Sequence, residues 1–567
     1  MTFVDVLRRR AESREGEKGY TFLVDGEGLE ERLNYAELAV RARLIGGRLA
    51  ARIPRGVRAV LVFDPGLAYI ATLFGCLQAG IVAVPAYPPN PLRPEAGLDQ
   101  IERVTASAKA RFILGSGELL GRLHNLLRGA PWVQGLGWID VSAADADQAN
   151  CLPEVSEDDI AIIQYTSGST SEPKGVMVTH RNLIQNAEFI RAGFALTENA
   201  SGVSWLPPHH DMGLMGGIIQ PLFMGMNMVL LSPQLFARRP ATFLEAISRF
   251  QLTGGGGPNF AYDMLTRRVG EAAKAQLDLS SWNLAFCGAE PVRAATLDAF
   301  ADAFAGCGFR REAFLPCYGL AEATLLVTAS EFTREPRRLT LDDGALEKGF
   351  VVPADPCLPG TRAFVSCGRA PAGMRVTIVD PGTGQVQPKG RTGEIWVKGP
   401  NVAAGYWDAP LATAASFNAQ LDDGQSGFLR TGDLGFIDQG ELFITGRFKD
   451  LIIIRGRNLH PQDIESTVEN AHSAVRPGRS AAFSVEVEGD ERLVVVFEVG
   501  RRALLDPAPV REAVRRAVAG AHSIVPHEIV LLEPARLPRT SSGKPRRVLT
   551  RQRFLAGRLG LDVETPE

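Results

Sequence analysis

Short apolar runs alternate with helical segments along most of the 567-residue chain. The clearest unit begins after Arg58, where AVLVF predicts a buried strand, GLAYIATLFGCLQAG a packed helix ending in glycine, and IVAVPA a second buried strand. The uncharged run at residues 66–90 is long enough to cross a bilayer, but its glycines and Pro85 favour three separate elements over one membrane span. Later runs repeat the order of strand and helix, which predicts an α/β fold with parallel sheets.

The pattern changes twice towards the C-terminus. Beyond Arg375, the runs RVTIVD, GEIWVKG and GFIDQGELFITGR predict short strands joined by Gly and Asp turns, as in a small β subdomain. Beyond GRFKD, helix and strand patterns predict a compact α+β unit. We therefore expect a large domain of layered α/β subdomains plus a small β subdomain at residues 1–446, followed by a small mobile α+β domain at residues 447–567.

Composition narrows the class of partner. The formal net charge of −3 gives no electrostatic reason to expect nucleic acid or an anionic membrane as a partner. Seven cysteines without a C-x-x-C pair indicate reduced thiols rather than a disulfide framework or a zinc site. The charged N-terminus lacks the apolar core of a signal peptide. These features favour a cytoplasmic protein with no membrane span.

The stretch YTSGSTSEPKGV, residues 165–176, follows an apolar run at residues 160–163 after one residue, Gln164. An isolated Ser/Gly/Thr loop is commonly only a solvated linker. This loop, however, would lie at the carboxyl end of a strand, where ligands of open α/β sheets bind, and its glycine amides, hydroxyls and Lys174 suit polyphosphate oxygens. It is not a Walker sequence, because no hydroxyl residue follows Lys174 to hold magnesium.

The stretch resembles the phosphate-binding signature of the adenylate-forming superfamily, which includes acyl-CoA synthetases, luciferases and peptide-synthetase adenylation domains. The superfamily's other signatures follow in order: GAE (288–290), YGLAEA (318–323), GEIWVKGPNVAAGYW (393–407), TGDLG (431–435), GRFKDLIIIRGRNLHPQDIE (446–465) and PRTSSGKPRR (538–547). Any one of them can arise by chance, but the ordered set over nearly the whole chain is specific. The resemblance implies that the protein joins a carboxylate to AMP and releases pyrophosphate.

Four further stretches are most similar to the fatty acyl-AMP ligase branch: VAVPAYPPNP, WLPPHHDMGLMGGIIQPL, GPNFAYDM and LPCYGLAEATL. That branch activates fatty acids as adenylates and passes them to acyl carrier proteins or polyketide synthases instead of coenzyme A. It also carries an insertion in the large domain, here at about residues 329–366. The segment shows no strong pattern of helices or strands, and a loop of this length is more often functional than idle. A surface hairpin without a role is the alternative.

The resemblance assigns roles around the phosphates. Glu322 would hold Mg²⁺, because a carboxylate suits that hard ion. The superfamily usually has a threonine just before this glutamate, whereas this chain has Ala321, so a phosphate contact is lost or supplied elsewhere, for instance by Thr324. The leaving phosphates of ATP would lie in a loop formed by Thr166, Ser167, Gly168, Ser169, Thr170 and Lys174.

The nucleoside and the reacting groups are implied in the same way. Adenine would stack on Tyr318 beside Gly319, and its other side would face Gly288, Ala289 and Glu290. Asp433 resembles the carboxylate that accepts the ribose hydroxyls, with Arg447 as the donor beside it; a turn cap is the alternative for Asp433. Lys544 resembles the mobile catalytic lysine that bridges the incoming carboxylate and the α-phosphate, and otherwise belongs to a solvated basic run with Arg546 and Arg547.

The sequence HHD at residues 209–211 invites a metal interpretation. Adjacent residues point in different directions and no third ligand follows at a suitable spacing, so we discount it. The resemblance instead places His210 near the acyl carboxylate as a catalytic residue, and the segments MGLMGGIIQPLF and GGGGPNF beside it line a fatty-acyl tunnel or simply pack in the core. Lys449 matches the hinge on which the small domain pivots; a surface lysine in a turn is the alternative.

Three functions fit these features. The preferred one is a fatty acyl-AMP ligase that uses ATP and Mg²⁺ and passes the acyl group in trans to an acyl carrier protein or a polyketide or peptide synthase. The second is a medium- or long-chain acyl-CoA ligase, and the third is an adenylate-binding regulator with a decayed site. The presence of Lys174, Glu322, Asp433 and Lys544 together argues against decay.

Overall fold

The computed structural model describes residues 1–89, 94–142, 152–165, 173–454, 457–487, 490–522, 524–540 and 543–559. The strands, in chain order, are β1 (Gly19–Leu23), β2 (Glu30–Asn34), β3 (Arg58–Val62), β4 (Val82–Ala86), β5 (Phe112–Gly115), β6 (Gly137–Asp140), β7 (Ile160–Tyr165), β8 (Gly175–Thr179), β9 (Ser201–Ser204), β10 (Asn227–Leu231), β11 (Gly254–Gly257), β12 (Leu284–Cys287), β13 (Phe314–Gly319), β14 (Leu326–Ala329), β15 (Arg338–Asp342), β16 (Thr361–Val365), β17 (Arg375–Val379), β18 (Gly393–Lys398), β19 (Leu429–Asp438), β20 (Glu441–Arg447), β21 (Ile452–Ile454), β22 (Arg457–Leu459), β23 (Val475–Val487), β24 (Asp490–Val499) and β25 (Glu528–Leu532).

The α-helices, again in chain order, are α1 (Phe3–Glu12), α2 (Tyr35–Ala50), α3 (Leu67–Gln78), α4 (Glu95–Ser107), α5 (Gly117–Leu126), α6 (His180–Gly193), α7 (Gln220–Met224), α8 (Pro233–Arg238), α9 (Ala241–Phe250), α10 (Asn259–Arg268), α11 (Glu271–Lys274), α12 (Ala294–Phe304), α13 (Asp343–Glu347), α14 (Pro410–Phe417), α15 (Pro461–Ala471), α16 (Arg501–Leu505), α17 (Ala508–His522) and α18 (Arg547–Leu555). A π-helix at Met212–Ile219 leads directly into α7.

Two large sheets form the layers of the N-terminal part. One has the order β6-β5-β3-β4-β7-β8 and the other β14-β13-β12-β11-β9-β10-β1-β2. Strands inside both sheets pair in parallel, and antiparallel pairs occur at the edges, as between β7 and β8. The expected layered α/β fold is therefore confirmed.

The uncharged run that raised the question of a membrane span folds as separate elements. Strands β3 and β4 lie parallel, and helix α3 connects them. All residues of α3 except the exposed Ala68 are buried, because the helix packs in the core beside α2. Within the ranges that the structure describes, no helix is both long and apolar enough to cross a membrane.

The segment at residues 329–366 is not the patternless loop that its sequence suggests. Strands β15 and β16 form an antiparallel pair, and α13 lies between them in the chain. Leu341, Leu346 and Phe364 from this segment pack against Phe436 and Phe443 of the antiparallel sheet β17-β18-β19-β20. The elements have only five residues each, which is too short for a clear periodic signal.

The two ends of this segment are joined at its base. The backbones of Ala329 and Arg369 exchange a pair of N–H to C=O hydrogen bonds of 3.1 and 2.9 Å, and the Ser330 hydroxyl donates to the carbonyl of Ser366. Gly368 lies at this junction with φ +75°, where an added Cβ would come 1.8 Å from the Ala329 carbonyl oxygen. The segment is thus closed at its base as a small unit on the β19-β20 face.

The C-terminal part has a core of its own. Helices α15 and α17 pack on the sheet β23-β24-β25, with Ile464, Phe497 and Val514 fully buried among them. This core begins at Ile452, whereas the core of the N-terminal part extends to Leu442. The short turn Phe448–Asp450 connects the two parts.

The junction at Gly368 can be tested against a second glycine with the same backbone angle. Gly360 also has φ +75°, but no described atom lies within 4 Å of an added Cβ there. We expect Gly360→Ala to cost about 1–2 kcal/mol, the cost of a left-handed residue with a side chain. Gly368→Ala should lower the midpoint of thermal unfolding further, because the backbone at the junction must move apart. Equal midpoints for the two variants would contradict this account.

Candidate active site

A cavity of about 1240 Å³ lies between the N-terminal and C-terminal parts. The carboxyl ends of several parallel strands reach it, which is where open α/β sheets bind ligands. Its wall includes Ala289 just after β12, Tyr318 within β13 and Lys174 just before β8. Lys544 and Lys449 reach the cavity from the C-terminal side.

One face of the cavity brings together a cation, an aromatic ring and a carboxylate. The Lys174 ammonium lies over the ring of Tyr406, 4.9 Å from its centroid. The Tyr406 hydroxyl donates a hydrogen bond of 2.8 Å to Oε1 of Glu322. Burial raises the pKa of Glu322, and the hydrogen bond from Tyr406 opposes that rise. The loop predicted to hold phosphates, Thr166, Ser167, Gly168, Ser169 and Thr170, lies outside the described residues.

Glu322 suits a magnesium ion that is shared with phosphates. Its carboxylate is half-buried at the cavity wall, and Oε1 accepts a hydrogen bond from Tyr406. Among the residues that the structure describes, no group of three or more His, Cys, Asp or Glu side chains is arranged to hold a metal. Mg²⁺ typically takes one or two carboxylates and fills its remaining positions with water and substrate phosphates. The residues present therefore fit this ion.

Tyr318, Asp433 and Arg447 form a hydrogen-bonded group in the cavity. Asp433 and Arg447 are direct partners across the β19-β20 pair, and Arg447 Nε donates to Asp433 Oδ1 at 2.7 Å. The Tyr318 hydroxyl donates to Asp433 Oδ2, also at 2.7 Å. The charge of Asp433 raises the pKa of Arg447. Asp433 is thus a buried carboxylate with both oxygens engaged, and hydroxyl groups of a ligand would have to share or displace these donors.

The residues expected near adenine differ in their access to the cavity. Ala289, Glu290 and Gly319 line it together with Tyr318. Glu290 Oε1 accepts a hydrogen bond from Asn259 Nδ2 at 3.0 Å, which fixes the carboxylate.

Gly288 lies behind this wall. An added Cβ at Gly288 would come 2.9 Å from the Cys317 carbonyl oxygen, so the close packing of β12 on β13 accounts for a glycine there.

The expectation that the three residues of HHD point in different directions holds for His209 but is wrong for His210 and Asp211, which contact each other at the cavity wall. His209 packs edge-on against Tyr87, with ring centroids 4.8 Å apart, and burial lowers its pKa to about 3. His210 lines the cavity, and its Nδ1 lies 2.6 Å from Oδ1 of Asp211. Burial acts to raise the pKa of Asp211, but His210 and the Met212 N–H hold it below its usual value. The pair fixes the imidazole at the cavity wall.

Lys544 reaches the cavity from the C-terminal part. Its ammonium donates to the backbone carbonyl of Ala289. Burial lowers the pKa of Lys544 and the charge of Arg447 adds to this, whereas Glu290, Asp211 and Asp433 oppose it. These charged groups face the ammonium from three separate segments of the N-terminal part, so Lys544 lies where they converge.

The basic residues that follow Lys544 do not form a simple solvated run. Arg547 is 19% exposed and donates to both oxygens of Glu465, at 2.6 and 2.7 Å, and to Asp450 at 2.9 Å. Asp450 belongs to the connecting turn, directly after the exposed Lys449. The segment that carries Lys544 is therefore tied to the turn between the two parts.

Thr324 does not replace the missing phosphate contact, so that expectation is wrong. Its hydroxyl donates to the Asn401 carbonyl at 2.6 Å, and the residue is 1% exposed and absent from the cavity wall. Thr324 has φ +63°, which turns the chain sharply after Glu322 and directs the threonine away from the cavity.

An apolar arm extends the cavity beyond His210. Both segments expected beside a tunnel contribute to it: Met212, Gly216 and Gln220 from the π-helix region, and Gly254, Gly255 and Phe260 from β11 and α10. The arm continues between Ile190, Phe194, Met226, Met228, Leu284 and Phe286. An added Cβ at Gly254 would come no nearer than 3.5 Å to a described atom, whereas at Gly255 it would come 2.8 Å from Val203, so close packing accounts for the second glycine.

Sequence reasoning overlooked two residues that the structure places in the site. Tyr406 donates a hydrogen bond to the Glu322 side chain, and Asp211 orients His210. Both belong to stretches that were recognised, GEIWVKGPNVAAGYW and HHD. An aromatic residue inside a glycine-rich turn was a signal for Tyr406, since such a turn brings backbone and ring close to neighbouring segments.

Comparisons with protein families cover almost the whole chain. The model of the AMP-binding enzymes matches residues 8–407. A second model, described as the AMP domain of Disco-interacting protein 2-like proteins, matches residues 449–563.

Individual proteins are similar over the same extent. The medium-chain-fatty-acid–[acyl-carrier-protein] ligase JamA of Moorena producens is 43% identical, over 98% of this chain and 96% of its own. A structure from a study of fatty acyl-adenylate ligases of E. coli and L. pneumophila has a TM-score of 0.88 with 32% identity, covering 98% of both chains. The L. pneumophila fatty acyl-adenylate ligase in complex with acyl adenylate and pyrophosphate is 39% identical, with a TM-score of 0.77 over 98% of this chain and 96% of its own.

The apolar arm gives a test that uses a glycine at its wall. No described atom lies within 4 Å of a Cβ added at Gly216, so a leucine side chain there would occupy the arm without displacing the protein. We expect Gly216→Leu to keep the wild-type thermal midpoint and to weaken binding of saturated fatty acids increasingly with chain length. Binding is measured by titration calorimetry.

Gly121→Leu is the matched control for this test. Gly121 also has an open Cβ position inside a helix, but it lies exposed on α5, away from the cavity. If Gly216→Leu and Gly121→Leu bind long acids equally well, the arm does not take the acyl chain.

Proposed function

The chain belongs to the AMP-binding enzymes and to their fatty acyl-AMP ligase branch, and on this basis we propose that it activates a fatty acid with ATP and passes the acyl group to a carrier protein. One observation carries the proposal. Lys544, His210, Glu322 and Asp433 come from distant parts of the chain and converge on one cavity that has an apolar arm. Such a cavity suits a molecule with a charged head and an apolar chain next to a nucleotide.

The reaction joins a carboxylate oxygen of the fatty acid to the α-phosphorus of ATP. The bond from that phosphorus to the oxygen that bridges it to the β-phosphate breaks, and pyrophosphate leaves. Negative charge increases on the oxygens around phosphorus, so catalysis depends on positioning and on electrostatic stabilisation. The Lys544 ammonium stabilises that charge and holds the fatty-acid carboxylate, and His210, oriented by Asp211, binds beside it.

The remaining residues hold the nucleotide. Tyr318, Gly319, Ala289 and Glu290 form the adenine site, with Gly288 packed behind them. Asp433 and Arg447 bind the ribose, and Lys174 binds the leaving phosphates with the loop at residues 166–170. Glu322 would hold Mg²⁺, which when bound would supply positive charge to the phosphate oxygens.

We place the domain boundary at the turn that contains Lys449, with the large domain at residues 1–446 and the small one at 447–567. Lys449 is exposed between a sheet of one part and the core of the other, as a hinge requires. We also place the reaction in the cytoplasm, because it consumes ATP and the described cysteines are free thiols.

The insertion supports a carrier protein rather than coenzyme A as the acceptor. Arg457 donates two hydrogen bonds, of 2.7 and 2.8 Å, to the carboxylate of Glu347 in α13. Arg362 of β16 forms an ion pair with Asp463 of α15. These contacts tie the insertion to the C-terminal part and oppose the rotation that thioester formation requires. A carrier protein offsets this cost with an interface of its own, whereas free coenzyme A does not.

The adenylation step is tested with Lys544→Ala. Wild-type protein with ATP, Mg²⁺ and a fatty acid should release pyrophosphate and form an acyl-adenylate that hydroxylamine traps. We expect Lys544→Ala to lower that rate on the order of 10²- to 10³-fold, since one electrostatic contact in the transition state is lost. ATP affinity, measured by calorimetry, should remain, because Asp433 and Tyr318 are unchanged.

Lys389→Ala removes an exposed lysine outside the cavity and serves as the control. Wild-type turnover by Lys544→Ala would remove this lysine from the mechanism. A folded wild-type protein that forms no adenylate with acids of any length would refute the proposed function itself.

A further inference from the structure

The short segment at residues 402–407 joins two parts of the cavity wall through its backbone. On one side it pairs with β8, which leads out of the phosphate loop; on the other it reaches the turn that carries Glu322. The bonds are Ala404 N–H to Met177 O at 3.0 Å, Met177 N–H to Gly405 O at 2.9 Å, Trp407 N–H to Gly175 O at 2.7 Å and Ala403 N–H to Glu322 O at 2.9 Å. The segment therefore fixes the distance between these two regions.

The side chain of Tyr406 makes a second connection between the same two regions, in addition to the backbone hydrogen bonds. Its hydroxyl holds Oε1 of Glu322 at 2.8 Å, and its ring face lies under the Lys174 ammonium. The ring is 7% exposed and packs edge-on against Phe417, with centroids 5.1 Å apart, so it has little freedom to turn. Thr413 accepts a hydrogen bond from the Tyr406 N–H at 2.9 Å and fixes its backbone.

We propose that Tyr406 is a positioning residue that holds the Glu322 carboxylate for the magnesium ion and Lys174 for the phosphates. The inference rests on the proposed function, because it concerns the site that would bind Mg²⁺ and ATP. The role of Tyr406 would be to set the distance and orientation between the Glu322 carboxylate and the Lys174 ammonium, which both act on magnesium-bound ATP.

Physical chemistry explains why a tyrosine suits this position. A phenol O–H that donates to one carboxylate oxygen favours the charged carboxylate and leaves the second oxygen for a metal. The same donation increases electron density on the ring, which strengthens its attraction for an ammonium over the ring face. One rigid side chain thus holds an anion at its edge and a cation on its face.

The test measures metal binding directly. Mn²⁺ replaces Mg²⁺ as a paramagnetic probe, and α,β-methylene-ATP replaces ATP because it cannot release pyrophosphate. We expect Tyr406→Phe, which keeps the ring and loses the hydroxyl, to weaken Mn²⁺ binding in the presence of the nucleotide by about tenfold, the effect of one hydrogen bond to a charged group. Metal-free affinity for the nucleotide should stay within about twofold, because the cation–π contact remains. Tyr406→Leu should weaken both.

Tyr20→Phe is the matched control. It also removes a buried tyrosine hydroxyl, which donates to the Ile218 carbonyl at 2.6 Å, outside the cavity wall. We expect wild-type affinity for Mn²⁺ and for the nucleotide in this variant. In a Glu322→Gln background, Tyr406→Phe should have no further effect on Mn²⁺ affinity, because the carboxylate that it positions is gone.

Wild-type Mn²⁺ affinity in Tyr406→Phe, or equal losses in Tyr406→Phe and Tyr20→Phe, would overturn the inference. If Tyr406→Phe does not fold, a crystal structure of wild-type protein with Mn²⁺ and the nucleotide decides: the metal must lie on Glu322 while Tyr406 donates to the same carboxylate. A metal bound without Glu322, or a Tyr406 turned away, would refute it. Failure of the proposed function would be seen in a separate assay, because the wild-type protein would then form no adenylate.

Discussion

The contact between Lys544 and the backbone carbonyl of Ala289 joins the C-terminal part of this protein to the N-terminal part at the cavity. An ammonium is costly to bury, and here Glu290, Asp211 and Asp433 offset that cost from the opposite wall. The segment of Lys544 is tied in turn to the connecting turn through Arg547 and Asp450. The position of the small unit and the charge balance of the cavity therefore both depend on the segment that carries Lys544.

The contacts that maintain this arrangement are mainly charged. Arg457 with Glu347, and Arg362 with Asp463, join the insertion to the C-terminal part, while the apolar clusters stay within each part. Charged and polar contacts can return to water at a modest cost, unlike a shared apolar core, so rotation of the small unit is physically accessible. The insertion adds two ion pairs to the contacts between the parts, and on the proposed mechanism these would have to break before the small unit rotates.

Sequence reasoning predicted the structure best where a local sequence pattern alone determines the geometry of a helix or a hairpin. The α3 helix follows from its apolar run, and the pairing of Asp433 with Arg447, implied by the family resemblance, is produced by the register of the β19-β20 hairpin. It failed at Thr324, whose backbone with φ +63° directs the hydroxyl to the Asn401 carbonyl and away from the cavity. It overlooked Tyr406 because a contact between residues 84 positions apart leaves no periodic trace. The strands of the insertion were not predicted, because packing against Phe436 and Phe443 of the neighbouring sheet stabilises them and their own sequence pattern is weak.

The central claim is that the insertion directs the acyl group away from coenzyme A, and product analysis tests it most directly. Mass spectrometry of reactions with ATP, Mg²⁺, a fatty acid and coenzyme A should find acyl-AMP and little acyl-CoA from the wild-type protein. Replacing coenzyme A by a phosphopantetheinylated acyl carrier protein should give the acylated carrier. The Glu347→Ala/Arg362→Ala variant, freed from both insertion contacts, should form more acyl-CoA. Rapid formation of acyl-CoA by the wild-type protein would contradict the account and identify an acyl-CoA synthetase.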